Sequence, residues 1–206
     1  MPPHEVYIET HLGGGATIRY KKPAKRNIGI EIDPKTIEMW IKTSSKIDFE
    51  LIHGDAIDYL KSHHFTGKEL VYCDPPYLRK VRKKHYPIFR HEYTVEQHER
   101  LLEVIKSLPC MVMISGYKSS LYEESLKGWH SHSFQAACHH GTATEWIWMN
   151  YPPPVELHDY RYLGDNFRER ERITKITKNW VARLKKKPVL ERKALLSAMN
   201  SLNEMD

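Results

Sequence analysis

Apolar residues in this chain fall into short, regularly spaced blocks. The runs Val6 to Glu9 (VYIE), Asn27 to Ile32 (NIGIEI), Phe49 to His53 (FELIH), Glu69 to Cys73 (ELVYC) and Cys110 to Ser115 (CMVMIS) are rich in β-branched, aromatic and aliphatic side chains. Their length and composition predict buried strands. Between them the pattern changes to a helical one. Pro34 to Thr43 is one such segment. The stretch from Thr94 to Leu108 is another, with Thr94 as a cap, Glu96 and Gln97 in the first turn, and Val95, His98, Leu101, Leu102 and Ile105 on one face. Alternation of strand and helix predicts an α/β domain with a mostly parallel sheet covered on both faces. Two later runs, HSFQAA and TEWIWMNY, flank the turn-like CHHGTA and predict an antiparallel hairpin that closes the sheet.

The character changes at the proline run PPPVELHDY, which divides the chain into a domain over 1–151 and a second part over 152–206. From about Asp165 the second part is helical and strongly charged, with Phe167, Ile173, Ile176, Trp180 and Leu184 on one stripe and a further short helix after Pro188. It reads as a Pro-rich linker followed by a basic helical C-terminal arm.

Composition narrows the class. At 206 residues the chain accommodates one main core with an appendage, and 40% hydrophobic with 28% charged residues is ordinary for a globular protein. No apolar run reaches the roughly 20 residues of a membrane span, and the first residues lack the basic-then-apolar order of a secretory signal. Cys73, Cys110 and Cys138 are odd in number and widely spaced, which predicts reduced core residues and a cytoplasmic protein. The histidines at 130, 132, 139 and 140 lie in and around the predicted hairpin without a Cys or acid pair that completes a zinc spacing, so no metal is expected. A net charge of +6, from 32 Lys and Arg against 26 Asp and Glu, suggests a polyanionic partner.

Candidate chemistry gathers at strand ends, where an open parallel sheet binds its ligands. Gly13, Gly14 and Gly15 follow the first strand and allow close backbone approach. Glu31 ends the second strand, placed to accept two hydroxyl hydrogens of a ribose, and Asp33 follows as an acid or a helix cap. Asp55 and Ala56 follow the third; Asp55 either bonds an adenine amino group or caps the next helix. The fourth strand runs into Asp74, Pro75, Pro76 and Tyr77. Prolines have no N–H and restrict the residue before them, so this turn offers a carboxylate and carbonyls with few competing donors, beside the flat face of Tyr77. An amino group on an aromatic ring suits it. The basic run after it, with Arg79, Lys80, Arg82, Lys83 and Lys84, is expected to meet phosphates, the alternative being a solvated loop. Ser115, Gly116 and Tyr117 end another strand as a wall of the same pocket, while Trp146 and Trp148 read as packing groups.

DPPY, with GIEID and GDAIDYL before it, resembles the Dam-like adenine-N6 DNA methyltransferases from about Val6 to Tyr151. The resemblance implies a Rossmann-like S-adenosylmethionine-dependent methyltransferase. The cofactor would lie over Glu9, Gly13, Gly15, Glu31 and Asp55, with Gly14, Asp33 and Ala56 beside them. A flipped adenine in DNA would stack on Tyr77, its amino group held by Asp74 and the Pro75 carbonyl. Thr10 and His11 stand where the family pattern E-P-F-x-G-x-G has Pro and Phe, and the family's Pro-Gly-Gly-Lys-like segment has no counterpart before Val6. The expected function is methylation of adenine N6 in DNA. The alternatives are an RNA or other amine methyltransferase, or a catalytically silent nucleic-acid-binding homologue.

Overall fold

The computed structural model describes residues 1–43, 47–82, 86–138 and 141–202. They form two compact units, Met1–His158 and Asp159–Asp206.

All five predicted strands form in the first unit: β1 (Val6–Glu9), β2 (Arg26–Glu31), β3 (Glu50–His53), β4 (Glu69–Cys73) and β5 (Met111–Gly116). They pair in parallel, and the hairpin strands β6 (His130–Cys138) and β7 (Gly141–Met149) add antiparallel, for a sheet ordered β3-β2-β1-β4-β5-β7-β6. This is a Rossmann-like α/β arrangement, mostly parallel with an antiparallel hairpin at one edge. The hairpin pairs further towards its turn than its apolar residues suggest, with Cys138 opposite Gly141; His139 and His140 lie outside the described residues. β7 ends before Asn150, whose amide still donates to the Val112 carbonyl (3.1 Å) while its side chain accepts from the Val112 amide (2.8 Å) and donates to the Cys110 carbonyl (2.8 Å).

Side chains alternate along a strand, so neighbours such as Tyr7 and Ile8 serve opposite faces. Ile8, Ile28, Ile30, Val71 and Ile114 form one core with α3 (Ala56–Ser62), α4 (Val95–Ser107) and α5 (Ser120–Ser125), through Leu60, Leu101, Ile105 and Tyr122. Tyr7, Leu70 and Met113 form the other with Trp40 of α2 (Pro34–Thr43) and Ile18 of α1 (Ala16–Tyr20). Helix α1, with five residues, is too short for a periodic signal and was not expected. Cys73 and Cys110 are free and buried. Trp148 belongs to the first core, with Trp146 packed against it.

The second unit contains α6 (Phe167–Lys185) and α7 (Val189–Leu202). Asn166 caps α6 by accepting from the Glu169 amide (3.0 Å), and Pro188 starts α7. Neither helix has a fully buried residue. Among the described residues, no helix is long and apolar enough to cross a membrane.

The capping signal before α4 forms in full: the Thr94 hydroxyl accepts from the Gln97 amide (3.2 Å) and the Gln97 side chain accepts from the Thr94 amide (2.9 Å). Thr94→Ala should therefore cost about 1 kcal/mol of stability, read from the urea midpoint at an unchanged slope; no loss would show the box to be energetically idle.

Candidate active site

Sheet order reverses direction at β1, which has β2 on one side and β4 on the other. That switch point opens a crevice beyond the carboxyl ends of the strands. Register aligns four acids along its edge. Glu9 pairs with Gly29 and with Tyr72, so Glu31 and Asp74 each stand two residues further out on the flanking strands. Glu31 in turn pairs with His53, and Asp55 stands two residues beyond that.

On the β1–β2 side the glycine turn is anchored by its backbone. The Gly13 amide donates to Glu31 Oε2 (2.8 Å), the Gly13 carbonyl accepts from the Trp40 indole (2.8 Å), and the Leu12 amide donates to the Ile30 carbonyl (3.0 Å). Gly15 has φ of 61°, and a Cβ there would fall 2.4 Å from the Trp40 ring, so only glycine fits. Gly13 and Gly14 face open space. Glu31 also accepts from the Asp33 amide through Oε1 (2.8 Å), leaving each carboxylate oxygen one further acceptor position. Asp55 caps α3, accepting from the Ile57 and Asp58 amides, and Ala56 is buried behind it. Asp33 binds the first turn of α2 through the Lys35 amide and the Thr36 hydroxyl. It also pairs with Arg90, whose guanidinium holds its carboxyl well below the ordinary range.

Glu9 is almost wholly buried. Burial pushes its carboxyl up to about 7, although the Tyr7 hydroxyl donates to it (2.9 Å); Asp74 nearby adds to the rise.

On the β4–β5 side, Asp74 Oδ1 accepts from the Ser115 hydroxyl at 2.6 Å. Ser115, at the end of β5, also lies 3.1 Å from the Tyr72 hydroxyl. Asp74 as a residue remains open to solvent, yet protein crowds its surroundings, and this desolvation raises its carboxyl against the Ser115 donor. Pro75 is buried and Pro76 half-buried. Tyr77 donates to Glu145 Oε2 of β7 (3.0 Å), and its ring meets Tyr117 edge-on, centroids 4.8 Å apart. Glu145 was not predicted. The sequence signal available was an acid inside the apolar strand TEWIWM, where a charged residue needs a reason.

The segment after Tyr77 departs from expectation. Arg79 and Lys80 are exposed in a short 3-10 turn, and Lys83 and Lys84 lie outside the described residues. Arg82 does not face solvent. It is buried, bonds both oxygens of Glu92 (2.8 and 2.6 Å), and donates to the Tyr77 carbonyl. Its partner lies ten residues on, beyond the reach of a local charge pattern. Glu92, held down to about 2, also accepts from the Ile88 and Phe89 amides. His11, in the glycine turn, joins the same segment through Tyr93 (2.9 Å).

Two expectations follow. Removing one partner of a buried ion pair strands the other, so Arg82→Ala should cost about 3–5 kcal/mol by chemical denaturation. Being internal, that arginine should leave the salt dependence of any binding to a DNA duplex unchanged; a shallower dependence would return it to the surface role. Glu9 rises from an ordinary 4.5 to about 7 on folding, so the folded chain holds a proton that the unfolded chain has released. Stability attributable to this group is lost as pH climbs through that window. Glu9→Gln should gain stability relative to the parent between pH 5 and 8, by up to about 3 kcal/mol, in paired thermal melts; a difference that stays flat with pH contradicts the assignment.

Comparison with solved structures finds the rRNA methylase from Streptococcus thermophilus (12% identity, 72% of this chain and 88% of that chain, TM-score 0.46). It also finds magnesium protoporphyrin IX methyltransferase from Synechocystis PCC 6803 with bound SAM (13% identity, 73% and 71%, TM-score 0.45). Both are distant likenesses of fold. A search of curated proteins finds no match. Residues 46–139 match the family model described as D12 class N6 adenine-specific DNA methyltransferase, a match consistent with the Dam-like resemblance that falls within the first unit.

Proposed function

We propose that this protein methylates the N6 amine of adenine in DNA, with S-adenosylmethionine as the donor. The observation that carries the proposal is Asp74: a carboxyl in a proline turn with few donors, fixed by Ser115 on one oxygen, at the switch point of a methyltransferase sheet. The family match, which spans that turn, supports adenine and DNA as the acceptor.

The donor supplies an electrophilic methyl group on a cationic sulfonium. A crevice edged by Glu9, Glu31, Asp55 and Asp74 is electrostatically suited to a cation, and the open space over Gly13 and Gly14 admits close approach to the backbone. Glu31 keeps acceptor capacity for ribose hydroxyls. Asp33 and Ala56 support this side from behind, Asp33 through the α2 cap and Ala56 as buried packing.

An aromatic amine is a weak nucleophile because its lone pair is delocalised into the ring. Asp74 and the Pro75 carbonyl would accept its two hydrogens, which favours the rehybridised form with the lone pair free to attack. As nitrogen gains the methyl group it must lose a proton, and a desolvated carboxyl with raised proton affinity is a suitable recipient. Tyr77, fixed at its hydroxyl by Glu145 and at its edge by Tyr117, would offer its face to the base. Extrusion of that base from the duplex costs a few kcal/mol, which such stacking offsets.

Transfer of tritiated methyl groups to duplex DNA and to RNA, assayed side by side, tests the proposal. The parent should label DNA, and Asp74→Ala should lower the rate at least about a hundredfold with an unchanged melting temperature. Full activity in that variant, or label in RNA alone, overturns it.

A further inference from the structure

The net positive charge is very unevenly divided. Residues 1–158 carry 20 Lys and Arg against 19 Asp and Glu, whereas residues 159–206 carry 12 against 7. The methyltransferase unit is thus close to neutral, and its crevice is edged with acids. A polyanion gains little from approaching it. Arg82, from the basic run after the proline turn, and Arg90 further on are held by Glu92 and Asp33.

Helix α6 carries a longer and more regular row of exposed cations than the Arg79–Lys80 pair described beside the pocket. At 3.6 residues per turn, Arg168, Arg172, Lys175, Lys178, Arg183 and Lys185 fall on one side, interrupted by a single acid, Glu171. All six are exposed, and Arg172 also pairs with Glu169 across one turn (3.6 Å) at the surface. Ile173, Ile176, Trp180 and Leu184 fall on the adjoining side, where Ile173 and Leu184 are half-buried. Over 19 residues the helix extends about 28 Å, with cations recurring about every turn of 5.4 Å. Such a rod matches a ladder of phosphates.

We infer that the basic face of α6 is the phosphate-backbone clamp of this protein, supplying the sequence-independent affinity that brings duplex DNA to the neutral methyltransferase unit. The inference rests on the nucleic-acid substrate proposed above and names the surface that holds it. Phosphate contacts of this kind release counterions, so each one steepens the salt dependence of binding by about 0.9 in the logarithmic slope. Base recognition stays with the pocket, whose affinity for a flipped base does not depend on the arm.

The test uses the full chain and its variant R172A/K175A/K178A, in which alanine preserves helix propensity. Anisotropy of a labelled DNA duplex is followed from about 50 to about 300 mM salt. The expected result is a slope shallower by about 2–3, an affinity at least tenfold weaker at low salt, a raised KM and a kcat within twofold of the parent. R172K/K175R/K178R should restore the parent slope. An unchanged slope and affinity in the alanine variant overturns the inference, as does a parent that ignores duplex DNA but binds phosphatidylserine vesicles. Arm-dependent DNA binding without methyl transfer leaves the clamp standing and removes the enzymatic reading; methyl transfer with an arm-independent slope does the reverse.

Discussion

Parallel pairing of β1 with β4 is the constraint on which the rest of the site depends. The ladder from Val6 opposite Glu69 to Glu9 opposite Tyr72 is extended past the strand end, where the Thr10 amide donates to the Tyr72 carbonyl (3.0 Å). That bond ties the start of the glycine turn to the strand that delivers Asp74. Register here is strongly specified, because a slip by one residue would exchange Tyr7 with Ile8, and Leu70 with Val71, between two differently shaped cores. Buried apolar side chains thus fix, to within a residue, how far apart Glu9 and Asp74 stand.

Gathering acids at one sheet edge is unfavourable unless each is compensated, and the compensation differs along the row. Glu31 and Asp55 accept backbone amides, which stabilise a carboxylate directly. Asp33 has a guanidinium and a helix start. Glu9 and Asp74 receive hydroxyl donors, which offset desolvation less, and both carboxyls stay raised. The two least compensated groups are the innermost pair, at the switch point. Charge balance along the crevice is therefore poorest where a cationic guest would improve it most.

Strands and the longer helices were legible in the sequence because their signals are local: apolar runs, a 3.6-residue period, a capping box at Thr94. Strand-end acids were legible for a different reason, since a parallel sheet dictates where its carboxyl edge lies and the chain order of motifs then supplies the row. Side-chain pairs distant in sequence were not. Tyr77 meets Glu145, Arg90 meets Asp33 and Arg82 meets Glu92, and nothing near any of these residues announces its partner. The largest misreading came from this source. A run of basic residues after the Asp74–Tyr77 turn suggests phosphate contact, yet Arg82 is an internal brace that holds the Tyr77 carbonyl and pairs with Glu92, which caps the Ile88 and Phe89 amides.

His11 illustrates how a departure from a family pattern can preserve the physics behind it. The pattern places an aromatic side chain here, and the histidine ring still packs as one, edge-on to Tyr93 with centroids 5.2 Å apart. Burial lowers its affinity for a proton to about 3, so at neutral pH it is uncharged and adds no cation beside a crevice suited to one. What it adds is polarity at both nitrogens, with Nδ1 2.8 Å from the Thr10 hydroxyl and Nε2 2.9 Å from the Tyr93 hydroxyl. Thr10 lies 3.4 Å from the Tyr72 carbonyl, so the substitution of both family residues converts an apolar contact into a hydrogen-bonded chain. That chain runs from β4, through the glycine turn, to the start of α4. Replacing the pair by Pro and Phe would keep the packing and lose the coupling, which makes Thr10 and His11 a matched pair and not two independent substitutions.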